Sequence, residues 1–446
     1  MAKYRRKTVL KRKIYNTLLQ WKQNKGNECL MIKGARQVGK TYLVREFGKT
    51  YESFIEINFY ENSEYKNIFQ GDLSSDEIIK KITAFIPNTK IIPNKTLIFL
   101  DEIQRCARAR TALKFLAQDD RIDVITSGSL LGLSYGTDAD SDTEQIESIP
   151  VGYEKQIQMF SMDFEEYLWA RGYGEDAINY LKSFYDKHQK VPYEINKKYE
   201  DLLREYIVVG GMPEVVATFV KTNDLNAVDE IQKKIINSYE DDIVNHAKSV
   251  EKVKVRKCFD SIPRQLAREN RKFKYSDLEK GATSRKYGES IEWLINANLV
   301  YPCYSVSNPE IPLKYNDNEN EFKLYLHDTG LLMAMYGFAT KQGILTNSLT
   351  GVAKGGIYEN LVADALYKKG YDLHYFKRKD DMELEFVIES VNGIIPIEVK
   401  AGNTATKSLN KYIEDYNPPK SFKVINGNIG EDGKRITIPH YMIMFI

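Results

Sequence analysis

With 446 residues, the chain is too long for one core of usual size, and two to four domains are expected. Its 64 basic and 62 acidic side chains leave a formal net charge of +2, so any nucleic-acid or membrane attraction would need a local basic surface. Four scattered cysteines with no C-x-x-C pair argue against a structural zinc or a disulfide framework. No apolar run reaches the length of a membrane span, and no apolar core comes after the charged N-terminus, so a soluble, non-exported, cytoplasmic protein is expected.

The first segment, KYRRKTVLKRK, suits either nucleic-acid phosphates or a basic solvated helix that packs Val9, Leu10 and Ile14 against the neighbouring domain. Next, CLMIKG (29–34), FIEINF (54–59), LIFLDE (97–102) and DVITSG (123–128) are continuous β-branched or aromatic runs, as strands buried on both faces should be. Helical spacing in KTYLVREFGK and ARTALKFLAQ separates them, the alternation of a parallel, helix-covered sheet. A loop rich in Asp, Ser and Gly (135–145) precedes one more strand candidate, KQIQMF.

From 163 to 250 the spacing is helical, broken sharply at Gly210, Gly211 and Pro213. From 251 the pattern predicts three helices, the second at YSDLEKGA, and then the strands VYPCYSV and KLYLHD. Three helices and then a hairpin have the sequence form of a winged helix. The last hundred residues predict the helix GIYENLVADALYKKG, the strands LHYFKR, ELEFVIE and IIPIEVKA, and the helix TKSLNKYIEDY. The tyrosines are numerous but dispersed, and they read as packing residues, not as a base-stacking platform.

GARQVGKT, comprising Gly34, Ala35, Arg36, Gln37, Val38, Gly39, Lys40 and Thr41 and continuing into Tyr42, satisfies G-x-x-x-x-G-K-T between an apolar strand and a helix. Such a loop curls backbone N–H groups around phosphate oxygens, and the helix N-terminus adds its positive dipole end. Lys40 is expected to reach the β and γ phosphates of ATP, and Thr41 to ligate Mg²⁺. LIFLDEIQ supports the assignment: Asp101 ends a buried strand where it can hold the Mg²⁺ shell, and Glu102 can polarise the attacking water. In ITSGS, Ser127 is the candidate γ-phosphate sensor and Ser129 the alternative.

IKGARQVGKT, IFLDEIQ, ITSGSLLG, MDFEEYLWA and YIVVGGMPEVV together resemble a prokaryotic AAA-type P-loop ATPase family whose C-terminal half is a domain of unknown function. DSIPRQLARENRKFKYSDLEKGATSRKYGESIEWLINANLV extends the resemblance over nearly the whole chain. It implies an α/β fold with an AAA-like parallel sheet (1–165), a helical lid (166–250), a winged helix (251–345) and a restriction-endonuclease-like domain (346–446). Related ring-forming ATPases reach an arginine into the neighbouring subunit, but no arginine occurs from Ile122 to Ala170. Arg105, Arg108 and Arg110 are the alternatives, and no ring is expected.

In the last segment Glu383 and Glu385 share one strand face, Glu398 and Lys400 share the next, and Glu359 lies on the preceding helix. The order resembles the PD-(D/E)xK nuclease core, with Glu359, Glu385 and Glu398 as metal ligands and Lys400 orienting the water. Glu385 stands where an Asp is usual, and a nuclease-derived fold with a retired site is the other reading. Arg285 and Lys286 at a helix start, with Arg268, Arg271, Lys272 and Lys274 nearby, suit DNA phosphates or a solvated, protein-docking face equally. Two functions fit these motifs. One is an ATPase that controls a DNA-directed, Mg²⁺-dependent module; the other is a nucleotide-operated switch with a protein partner.

Overall fold

The computed structural model describes residues 10–24, 26–128, 152–246, 251–379, 382–402 and 405–446. They fall into two compact units: Arg12–Phe160 with Asn296–Asn298, and the remainder. Val9, Ser129 and the whole Asp-rich loop lie outside the described residues.

The first unit is a five-stranded sheet of β1 (Cys29–Lys33), β2 (Ser53–Asn58), β3 (Thr96–Asp101), β4 (Ile122–Gly128) and β5 (Glu154–Gln158). All four pairings are parallel, and the order is β2-β3-β4-β1-β5. β3 is buried at every residue, as its unbroken apolar run requires. Met31, Ile57, Ile98 and Leu100 pack with Ile78 and Ile82 of the helix Ser75–Phe85 and with Ala109 and Leu113 of the helix Ala107–Leu116. Each fully buried Ile or Leu contributes about 1.5–3 kcal/mol, and that burial fixes which strand ends meet at the sheet's carboxyl edge.

The second unit begins with the helices Phe164–Ala170, Glu175–Asp186, Tyr193–Val209, Pro213–Thr222 and Leu225–His246. Helix Tyr193–Val209 ends where Gly210 takes φ +75°, and Pro213 starts the next helix. Asp328 holds this turn: its Oδ2 accepts from Gly211 N–H at 2.7 Å and its Oδ1 from Leu331 N–H at 3.0 Å. A Cβ on Gly211 would lie 1.9 Å from Met162 O, and one on Gly330 would lie 2.5 Å from Gly210 Cα. Three glycines therefore let three backbone segments touch.

Helices Lys252–Leu266 and Ser284–Asn296 match the sequence expectation, but YSDLEKGA forms only a 3₁₀ turn at Tyr275–Asp277. Gly281, at φ +78°, takes the chain out of helical geometry there. β6 (Val300–Val306) and β7 (Asp317–Leu326) pair antiparallel. They are not a separate wing, because β6 also pairs in parallel with β8 (His374–Lys377). With β9 (Glu383–Ser390), β10 (Gly393–Val399), β11 (Ser421–Ile425), β12 (Gly430–Asp432) and β13 (Arg435–Pro439), they form one eight-stranded sheet. Its order, β12-β13-β11-β10-β9-β8-β6-β7, runs across the expected boundary at 345/346. Helix Val352–Lys368 lies beside this sheet and carries Glu359. Among the described residues, no helix is long and apolar enough to cross a membrane.

Gly211→Ala is expected to cost about 3 kcal/mol, because Met162 O is backbone and cannot yield. Thermal unfolding of the full chain should show the midpoint falling by about 3 °C.

Candidate functional site

The phosphate loop is built by backbone constraints. Gly34 has φ +155°, Gln37 +65° and Gly39 +96°. A Cβ on Gly34 would lie 2.2 Å from Met159 O, so the first glycine is needed for β1 to pass the end of β5. Lys40 is buried, with Nζ donating to Gly34 O and Ala35 O at 2.9 Å each. Its ammonium is folded into the loop it is meant to serve.

Asp101 collects the other strand ends. Its Oδ2 accepts from Thr41 Oγ1 at 2.9 Å and from Asn58 Nδ2 at 3.2 Å, and its Oδ1 accepts from Ser127 Oγ. Burial pushes the Asp101 carboxyl up from the usual carboxylate range, while Ser127 and Thr41 pull it down. Glu102 comes next in a left-handed conformation (φ +56°) that ends the strand. Gln104 Nε2 donates to Glu102 Oε2 at 2.5 Å. Thr41, Asp101, Glu102 and Ser127 therefore gather at one sheet edge. Arg108 donates to Phe69 O and Gly71 O at 2.8 Å each, Arg110 pairs with Glu154 at 3.5 Å, and Arg105 lies 4.5 Å over the Tyr60 ring.

The carboxylates of the second unit are differently placed. Glu359 is 1% exposed; its Oε1 accepts from Arg271 Nη1 at 2.7 Å and its Oε2 from Tyr325 OH at 3.0 Å. Lys323 Nζ lies 3.9 Å from that Oε2 and 2.8 Å from Glu383 Oε1. Lys400 Nζ lies 3.1 Å from Glu385 Oε1 and 3.3 Å from Glu398 Oε1, while Val399 N–H donates to Glu385 Oε2 at 3.0 Å. Burial pushes the Glu398 carboxyl up to about 7 against the pull of Lys400, and its Oε2 has no hydrogen-bond partner.

Among the described residues, no group of three or more His, Cys, Asp or Glu is placed to hold a metal ion. The expected ligand set Glu359, Glu385 and Glu398 is not among groups so placed. Arg271, Lys323 and Lys400 already neutralise these carboxylates. The basic residues expected to meet DNA are also largely engaged: Arg268 pairs with Asp277, Lys272 with Glu321, and Lys286 with Glu279. Arg271 is turned inward on Glu359, which leaves Arg285 and Lys274 exposed.

The family described as "AAA domain" matches residues 26–168, the segment that carries the loop, Asp101 and the parallel sheet. That segment is an AAA-type P-loop domain. Two families described as domains of unknown function match residues 200–342 and 354–441. The first of these spans the expected lid boundary at 250. No curated protein matches the chain. Among solved structures, the Walker-type ATPase of Pyrococcus abyssi is 13% identical, with 75% of this chain and 98% of that chain covered and a TM-score of 0.44. A STAND protein with a tetratricopeptide repeat sensor from Pyrococcus horikoshii is 14% identical over 81% and 46% of the two chains, at a TM-score of 0.26. PCH-2 of C. elegans is 13% identical over 48% and 66%, at 0.25. At these values the likenesses carry nothing about function.

Sequence reasoning misses three residues that the sites use. Arg12, 8% exposed, donates to Val38 O at 3.0 Å and Phe160 O at 2.6 Å, bracing the phosphate loop of the AAA domain. In the sequence it is one basic residue among many. Asn58 links β2 to Asp101 and accepts from Tyr60 N–H at 2.9 Å and Glu61 N–H at 3.0 Å. Lys323 had a signal: a lysine between Phe322 and Leu324 inside a strand whose last five residues are all buried.

Arg12→Ala should weaken nucleotide binding by about tenfold, the worth of one to two buried hydrogen bonds to the loop, read by titration of a fluorescent ATP analogue. Glu398 supplies a pH test. Its folded carboxyl titrates above its unfolded value, so its contribution to stability is greatest below about pH 4.5 and is lost as pH rises through about 7. Glu398→Gln should therefore raise stability by about 2 kcal/mol at pH 8 and change little at pH 4.5, measured by denaturant unfolding at both pH values.

Proposed function

We propose that the chain hydrolyses ATP in its AAA domain and uses the nucleotide state to operate its C-terminal half as a switch on a protein partner. The observation that carries this reading is the Thr41–Asp101 hydrogen bond at 2.9 Å, beneath a phosphate loop and beside Glu102. Thr41 and Asp101 form a hard-oxygen pair that fits Mg²⁺, which when bound would neutralise charge on the β and γ phosphates. Lys40 exchanges its carbonyl acceptors for phosphate oxygens, and the loop N–H groups cradle the rest. Glu102, released from Gln104, orients the attacking water and accepts its proton. Ser127 fixes the orientation of Asp101, and through it reports the state of the site.

DNA-directed cleavage through a winged helix and a nuclease-like domain has less support. Its basic residues are mostly paired within the chain, and its carboxylates are neutralised by cations. We read the last segment as a nuclease-like fold that no longer cuts.

Lys40→Ala should lower the ATPase rate to background in a phosphate-release assay; a variant that keeps full activity would remove Lys40 from the site. Added duplex DNA should leave the wild-type rate unchanged. Stimulation by DNA that is lost in Arg285→Glu would restore the DNA-directed reading.

A further inference from the structure

The carboxylates around β7, β9 and β10 are held by Arg271, Lys323 and Lys400, and the cation that lies between Glu359 and Glu383 is Lys323. Lys323 comes from the interior of β7, opposite Cys303 of β6, and is 1% exposed. Its Nζ has Glu383 at 2.8 Å, Glu359 at 3.9 Å and the Tyr375 ring at 4.7 Å. On the far side of Glu359, Arg271 reaches in over Gly355, where a Cβ would lie 2.3 Å from Arg271 Nη2. We propose that Lys323 is a built-in cation that takes the position of a divalent metal between Glu359 and Glu383, so that this cluster is complete without metal and gains a metal site when the lysine is removed. The proposal rests on the reading that the last segment does not cut.

Three observations carry it. First, an ammonium inside a sheet is costly, and a well-packed apolar side chain of similar volume would often be more stable there, so the lysine answers charges already present. Second, those charges are a pair of carboxylates, Glu359 on a helix and Glu383 on β9, and carboxylate oxygens are the hard ligands that bind Mg²⁺ or Mn²⁺. Third, the four carboxylates Glu359, Glu383, Glu385 and Glu398 are paired with the three cations Arg271, Lys323 and Lys400, and Glu398, beside Lys400, keeps a buried Oε2 with no hydrogen-bond partner. The ammonium lies within hydrogen-bond distance of Glu383, where a metal would need the same oxygens at about 2.1 Å. The two occupants exclude each other.

The test uses the full chain without nucleotide, titrated with Mn²⁺ in a calorimeter and melted with and without Mn²⁺. Wild type and Glu383→Gln should bind the same number of Mn²⁺ ions. Lys323→Met should bind one more, with a Kd of about 1 mM or tighter, and should melt higher in Mn²⁺. The added ion should disappear in Lys323→Met with Glu359→Gln. The inference is overturned if Glu383→Gln loses an ion that wild type binds, or if Lys323→Met gains none. Should Lys323→Met fail to fold without metal, its recovery in soluble form when purified in Mn²⁺ supports the inference. If it is insoluble in both conditions, the comparison of wild type with Glu383→Gln decides. Plasmid incubation with Mn²⁺ tests the reading beneath it separately: cleavage lost in Lys400→Ala would sink the non-cutting assignment and leave the Mn²⁺ count at Lys323 unaffected.

Discussion

Asp101 is where the AAA domain is tied together. One buried carboxylate accepts from Asn58 at the end of β2, from Thr41 at the start of the phosphate-loop helix, and from Ser127 near the end of β4. Parallel strands leave their carboxyl ends side by side, but nothing in strand pairing alone aligns their side chains. A single acceptor shared by three donors does so, because a buried carboxylate left without donors would have to be neutralised. The same arrangement explains why Ser127 is wholly buried and faces Asp101.

The two units solve the problem of buried carboxylates in opposite ways. In the AAA domain, Asp101 is held by neutral hydroxyl and amide donors. Such donors can rotate to a new acceptor, so the carboxylate remains able to take a metal ion. In the second unit, Glu359, Glu383, Glu385 and Glu398 are held by Arg271, Lys323 and Lys400. Fixed cations cannot rotate to a new acceptor as hydroxyls do, which favours a rigid scaffold over a site that turns over.

Much of the fold was legible because its signals are local. Continuous apolar runs marked β1 to β4, and the glycines of the phosphate loop marked the turn between β1 and its helix. Gly210, Gly211 and Pro213 marked the break in the helical region for the same reason. The helix expected at YSDLEKGA failed because Gly281 overrode its spacing. The strands β11 to β13 carry short, mixed runs that periodicity did not separate from loop. The placement of Lys40, Thr41 and Asp101 at one sheet edge was readable because motif and topology agree. Arg12, Asn58 and Lys323 were not, since each acts through a partner distant in sequence. The E-x-K strand could not reveal that a lysine from β7 had reached its neighbours first.

The parallel pairing of β6 with β8 sets the grain at which this protein can be inherited. Tyr304, Ser305 and Val306 bond with His374, Tyr375 and Phe376, across the gap between the segments matched at 200–342 and 354–441. Split between those segments, the sheet would present two raw edges, each an invitation to intermolecular pairing. These two segments would have to stay together for the sheet to close. What sequence comparison divides into two modules is, by hydrogen bonding, a single heritable piece.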